Sequence, residues 1–341
     1  MLAWGRSMHP IDLPTPHDLA AAYAVTRKAT QRTPLIESEA LARACGAARA
    51  FVKAENLQAT GSFKIRGATW RLHNLTAEER KRGVVAFSSG NFAQGLAAAG
   101  RALGVPVTII MPIDAPALKR EATEAYGARV ILTEHGDRPR EEVASAKARE
   151  IAAAEGLVLL HPFDDPLIVA GQAGAALEAL DQLDAQGATV SIAACPVGGG
   201  GLMGGVALAL RARDARMELF AVEPVGFNGL GQSLAAGELR RVTGTGTGGT
   251  VADALQATAP GTAPLAAARA ASVQGLAVDD AAIRAAMRFA FEKLKLVLEP
   301  SGAVALAAAL AGQLPTTGRS ILIFATGGNV SLDRFVALTG D

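Results

Sequence analysis

Eight short apolar runs recur along the chain, and each is continuous rather than alternating. They are Ala50-Phe51-Val52, Val84 to Phe87, Val107 to Met111, Val130 to Leu132, Val158 to Leu160, Val190 to Ala194, Leu219 to Val222 and Ile321 to Phe324. A strand with one wet face alternates polar and apolar residues, whereas an unbroken apolar run marks a strand covered on both faces. Between the runs lie alanine-rich stretches suited to helices, among them Asn91–Leu103, Ala115–Tyr126 and Arg140–Glu155. This alternation predicts an α/β fold with parallel sheets flanked by helices. Half of the 341 residues are hydrophobic, enough for one large domain or two interleaved ones. The stretch from Gly237 to Gly261, with its Thr/Gly run, predicts a long loop.

Charge excludes several function classes. Lys+Arg is 33 and Asp+Glu is 32, which leaves no electrostatic footprint for nucleic acid or an anionic membrane. Cys45 and Cys195 sit in no paired motif, so neither a disulfide framework nor a zinc site is expected, and a reducing cytoplasm is the simplest compartment. The first residues, through Pro16, carry no apolar signal segment and read as an extended lead-in. Ala185 to Leu210 is uncharged and long enough to span a bilayer, but Pro196 and Gly198 to Gly201 interrupt it. A buried strand, a glycine loop and a helix are expected there instead.

Five segments can carry chemistry. In Ser62-Phe63-Lys64-Ile65-Arg66-Gly67 a lysine lies between apolar neighbours, where desolvation would make it a neutral amine nucleophile. An isolated lysine is ordinarily a surface residue. Ser88-Ser89-Gly90-Asn91-Phe92 follows a strand and opens a helix. Its groups suit either simple N-capping or a carboxylate ligand. Gly198-Gly199-Gly200-Gly201 also joins a strand to a helix, and consecutive bare N–H groups there can wrap a phosphate. Thr326-Gly327-Gly328-Asn329 follows a strand, and Glu299-Pro300-Ser301-Gly302 marks a helix start. A rival reading exists for the glycines. Gly199-x-Gly201-x-x-Gly204, with Glu223 ending the next strand, fits a dinucleotide fingerprint and would imply a nicotinamide-dependent oxidoreductase.

Taken together and in this order, the segments resemble the fold-type II pyridoxal phosphate (PLP) enzymes, particularly threonine/serine dehydratases and serine racemase. The resemblance runs from about Leu13 to Leu332 and includes Pro34-Leu35 and Lys53-Ala54-Glu55-Asn56-Leu57-Gln58. It implies a tryptophan synthase β-like, two-domain fold. Residues 83–160 would form a small mobile domain, and 1–82 with 161–341 a large PLP-binding one. It implies that Lys64 carries PLP as a Schiff base and moves the Cα proton. Gly198, Gly199, Gly200 and Gly201, with Leu202, would hold the phosphate, and Asn91 the 3′-oxygen. Phe63 would pack on the ring, Thr326 would meet the pyridine nitrogen, and Glu299 would belong to the cofactor pocket. Ser88, Ser89, Gly90, Asn91 and Phe92 would contact substrate. Ser89, if it faces Cα from the side opposite Lys64, would be a second proton-transfer group and would permit racemisation.

The implied reaction is dehydration and deamination of a β-hydroxy-α-amino acid such as L-threonine or L-serine, giving a 2-oxo acid and ammonia. A homodimer is the relatives' habit. A PLP-binding protein that signals by domain closure is a non-catalytic alternative. Several features are particular to this chain. Phe92 replaces the histidine of most dehydratases, which opens the case for a β-aryl substrate such as phenylserine. Glu223 lacks the second acidic residue of metal-binding relatives, so no metal is expected. The chain ends soon after the last motif, so isoleucine feedback is not expected. Gly246-Thr247-Gly248-Gly249-Thr250 looks like the phosphate loop of cysteine synthases but lacks the strand–loop–helix context.

Overall fold

The computed structural model describes residues 12–115, 117–136, 138, 140–243 and 249–340. Among the described residues ten strands form two sheets: β1 (Leu35–Glu37), β2 (Arg49–Ala54), β3 (Val84–Phe87), β4 (Val107–Pro112), β5 (Arg129–Thr133), β6 (Val158–Leu160), β7 (Ile192–Pro196), β8 (Glu218–Pro224), β9 (Gln274–Val278) and β10 (Ser320–Ala325). Six build one sheet in the order β1-β2-β10-β7-β8-β9, and four build another in the order β5-β4-β3-β6. Every pairing is parallel except β1 with β2.

In six of the eight runs the unbroken apolar pattern follows from burial on both faces, while β5 and β6 are partly exposed edge strands. In the larger sheet Ile323 pairs with Val52 on one side and Ala194 on the other, while Leu322 pairs with Phe51 and Ala193. Val52, Ala194 and Ile323 belong to one core cluster, and Phe51, Ala193 and Leu322 to a second. Truncating Leu322 or Ile323 to alanine would cost about 2–5 kcal/mol. A third cluster joins β3 and β4 to the helices Lys64–His73 and Asn91–Leu103 through Ile65, Ala68, Leu72, Phe92 and Leu96.

Eight of the ten strands fall where apolar runs predict them, and the helices Asn91–Leu103 and Arg140–Glu155 have the expected bounds. The third helix is shorter, Ala117–Ala125. The uncharged stretch 185–210 resolves into β7, the glycine loop and the helix Gly201–Arg213. Among the described residues no helix is long and apolar enough to cross a membrane. Cys45 and Cys195 are both free. Gly246 to Gly248, within the expected loop and the second glycine run, lie outside the described residues.

Candidate active site

Parallel sheets place their ligand sites beyond the carboxyl ends of the strands. Four of the five singled-out segments lie there. The glycine run follows β7, Thr326 to Asn329 follow β10, Ser88 to Gly90 follow β3, and the loop after β2 leads to Lys64. Backbone bonds join two of them. Phe63 N–H donates to the Thr326 carbonyl at 3.3 Å, and Gly328 N–H donates to the Gly61 carbonyl at 2.9 Å.

Lys64 opens the helix Lys64–His73. Its Nζ stands 5.1 Å from the centroid of the Phe63 ring and 5.9 Å from that of Phe92. Burial pushes this amine down to about 8, although the nearby Glu299 carboxylate opposes the shift. Near-neutral pH therefore leaves a sizeable neutral fraction, as a nucleophilic amine requires. Phe92 is 2% exposed and packs in the core cluster of the smaller sheet, so one ring serves both the core and the wall beside the amine.

The glycine run has a steric reason. A Cβ at Gly199 would lie 2.3 Å from the Phe163 ring, and Gly200 has a φ of +92°, which side chains disfavour. Gly201 begins a helix of 13 residues, whose first N–H groups have no intrahelical acceptor. Bare backbone at a helix N-terminus fits a phosphate. A buried amine held well below the usual lysine range fits a carbonyl reagent. The residues present thus fit a phosphorylated aldehyde cofactor.

Asn91 ties the segments together. Its Nδ2 donates to Glu299 Oε1 at 2.5 Å, and its Oδ1 accepts from Asn329 Nδ2 at 2.8 Å. Asn329 Nδ2 also donates to the Thr60 carbonyl at 2.9 Å. Glu299 is 2% exposed, and burial raises its carboxyl to about 7, opposed in part by Lys119. Its Oε2 has no hydrogen-bond partner among the described residues. Ser88 and Ser89 are half-buried, and Ser88 Oγ accepts from Gly90 N–H at 3.3 Å. Open space faces the position where Gly90 would carry a Cβ. Leu202 and Thr326 are buried, at 4% and 5% exposure.

Glu223 has a different task from either of the two considered from sequence. Its two oxygens accept from the N–H groups of Leu230 and Gly231, at 2.9 and 2.8 Å, at the start of the helix Gly229–Ala236. The carboxylate thus caps a helix, although burial raises it to about 7.

Sequence reasoning missed a buried ionic quartet. Arg66 forms a two-bond contact with Glu55 at 2.8 Å through both Nε and Nη2, and Nη2 also reaches Glu178 at 2.8 Å. Lys53 Nζ donates to the same Glu178 oxygen at 2.7 Å. All four side chains are at most 2% exposed. Burial opposes ionisation of Glu55, but Arg66 outweighs it and holds the carboxyl below its ordinary value. The quartet fixes the first turn of the helix that Lys64 opens. Lys53, Glu55 and Arg66 lay within quoted motifs, but Glu178 sits in an unremarkable helix, Gly174–Ala185, 112 residues from Arg66.

A parallel α/β scaffold with a desolvated amine and a phosphate cradle beyond its strand ends defines a class, the carbonyl-cofactor enzymes of open-sheet architecture. Comparison narrows it. Residues 26–327 match the family of pyridoxal-phosphate dependent enzymes. The chain is 36% identical to the L-threo-3-hydroxyaspartate ammonia-lyase of Saccharomyces cerevisiae, over 96% of this chain and 96% of that protein. It is 34% identical to the catabolic L-threonine dehydratase of Staphylococcus aureus, over 93% and 89%. The solved structure of maize serine racemase superposes with a TM-score of 0.86 at 34% identity, covering 94% of each chain. The chain belongs to the pyridoxal-phosphate dependent enzyme family, and pyridoxal 5′-phosphate is its cofactor. That membership sets aside the nicotinamide reading of the glycine run.

Proposed function

We propose that this protein is an ammonia-lyase that removes water and then ammonia from a β-hydroxy-α-amino acid of the L-threonine or L-serine type, releasing a 2-oxo acid. The observation that carries the reading is the Lys64 amine, brought to about 8 by burial and set between two aromatic rings. When bound, pyridoxal phosphate supplies a sink for the electron pair left at Cα. Lys64 holds the cofactor and takes the Cα proton. Gly198 to Gly201 and Leu202 would hold the phosphate, Phe63 would pack on the ring, and Asn91, oriented by Glu299 and Asn329, would bind the 3′-oxygen. The Ser88–Asn91 turn, at the N-terminus of a 13-residue helix, holds the substrate carboxylate. Thr326 would offer the pyridine nitrogen a neutral hydroxyl, which would favour loss of the β-hydroxyl over prolonged charge at Cα. Residues 83–160 act as the unit that closes over substrate.

Two further readings rest on specific observations. The likeness to a serine racemase supports reversible proton transfer at Cα, with Ser89 as the second group. Phe92, beside the amine, supports a β-aryl substrate. The test is a panel of serine, threonine, hydroxyaspartate and phenylserine, read as 2-oxo acid release with chiral analysis of the remaining amino acid. Release of 2-oxo acid from one or more is expected. Inversion without any 2-oxo acid would replace the lyase reading with racemisation.

A further inference from the structure

Beside the Asn91 cluster lies a cavity of about 270 Å³, lined by Lys119, Asp253, Glu299, Asn329, Ser331 and Arg334 among others. It shares Glu299 and Asn329 with the Asn91 hydrogen-bond network, so it opens next to the turn assigned to the α-carboxylate. Its walls come from both sheets' surroundings. Lys119 is on the helix Ala117–Ala125, which packs on the smaller sheet, and Asp253 is in the short turn Asp253–Leu255, whose Ala254 and Leu255 lie against Gly198 of the glycine run. Lys119 Nζ and Asp253 Oδ2 are 3.2 Å apart. Arg334 adds a second cation, and its Nη2 donates to the Val251 carbonyl at 3.2 Å.

The two partners of this pair differ. The Lys119 side chain is 8% exposed and that of Asp253 31%. The aspartate has solvent to turn into and the lysine does not. A buried ammonium needs an anion, and an incoming carboxylate can exchange with one that is free to leave. Burial raises Glu299 to about 7 and so limits the opposing negative charge. Both cations then bear on whatever the cavity receives. Phe92 is not among the residues lining it.

We propose that Lys119 is a specificity-determining residue: it receives the distal carboxylate of a dicarboxylic β-hydroxy-α-amino acid, and Asp253 keeps its place until substrate arrives. This rests on the lyase reading above for the reaction, while the assignment of the cavity is separable by binding. L-Aspartate and L-alanine lack the β-hydroxyl and cannot lose water, so calorimetric titration of the holoenzyme with each reads the second carboxylate alone. Aspartate should bind about tenfold or more tightly than alanine, tenfold being about 1.4 kcal/mol. Lys119→Gln should abolish that preference and leave alanine binding unchanged, and Lys119→Arg should retain it. Asp253→Asn should increase it, because a competing carboxylate is gone.

The two variants therefore move aspartate binding in opposite directions. If Lys119→Gln and Asp253→Asn weaken both amino acids alike, the ion pair merely joins two elements and the proposal is overturned. Wild-type preference for alanine would overturn it equally. In turnover, Lys119→Gln should lower kcat/KM for 3-hydroxyaspartate by about tenfold relative to threonine. An absence of 2-oxo acid from every substrate, with the aspartate preference intact, would refute the lyase reading and leave the assignment of Lys119 standing.

Discussion

Replacing Glu178 with glutamine tests the buried quartet with almost no change in shape. Glu178 Oε1 accepts from Thr33 N–H at 2.9 Å, Lys53 Nζ at 2.7 Å and Arg66 Nη2 at 2.8 Å. The amide retains an oxygen for part of that set but removes the charge. Two buried cations then share Glu55 alone. Breaking a buried pair by removing one partner costs about 3–5 kcal/mol, mostly the burden of the uncompensated charge. For a chain of 341 residues the unfolding entropy is about 0.7 kcal/mol per kelvin, so the midpoint should fall by roughly 4–7 °C. Calorimetry of wild type and variant, both saturated with cofactor, measures this without a difference in ligand stabilisation. The double variant Lys53→Met/Glu178→Gln removes one charge of each sign and should lose less than the sum of the single changes. A shift below 1 °C for Glu178→Gln, or strict additivity in the double variant, would refute the idea that the four groups act as one compensated unit.

The depressed Lys64 amine makes a pH prediction. Capture of pyridoxal phosphate by the apoprotein needs the neutral amine, so its rate should rise through about pH 8 and level off above it, two units or more below an ordinary lysine. A rate still climbing at pH 10 would show a solvated lysine. Phe92→His, assayed on threonine and phenylserine, should move the ratio of the two kcat/KM values toward threonine if the ring touches substrate, by up to about tenfold. A uniform loss on both would mark a core residue.

How far the site was legible depended on how local its signals were. Six of the eight apolar runs marked strands because both faces of each are covered, whereas β5 and β6, the edges of the smaller sheet, are partly exposed and were legible only from their apolar composition. β1 and β9 escaped for the opposite reason. Both are edge strands, β1 has three residues, and β9 begins with exposed Gln274 and Gly275. Lys64 and the glycines announced themselves within a few residues, since a desolvated amine and a bare helix entry are short-range features. Lys119 and Asp253 did not. They are 134 residues apart in sequence, and nothing in either neighbourhood marks them before the fold brings them together. Glu223 shows the reverse failure. Its position at a strand end suggested a ribose or metal partner, yet the helix that follows takes both oxygens.

The most direct test of the central claim is covalent. Borohydride reduction of the holoenzyme, followed by peptide mapping, should place the pyridoxyl group on Lys64, in the peptide containing Ser62-Phe63-Lys64-Ile65. Lys64→Ala should abolish both the label and 2-oxo acid release. A label on Lys53 or Lys119 instead, or full turnover by Lys64→Ala, would contradict the account at its centre.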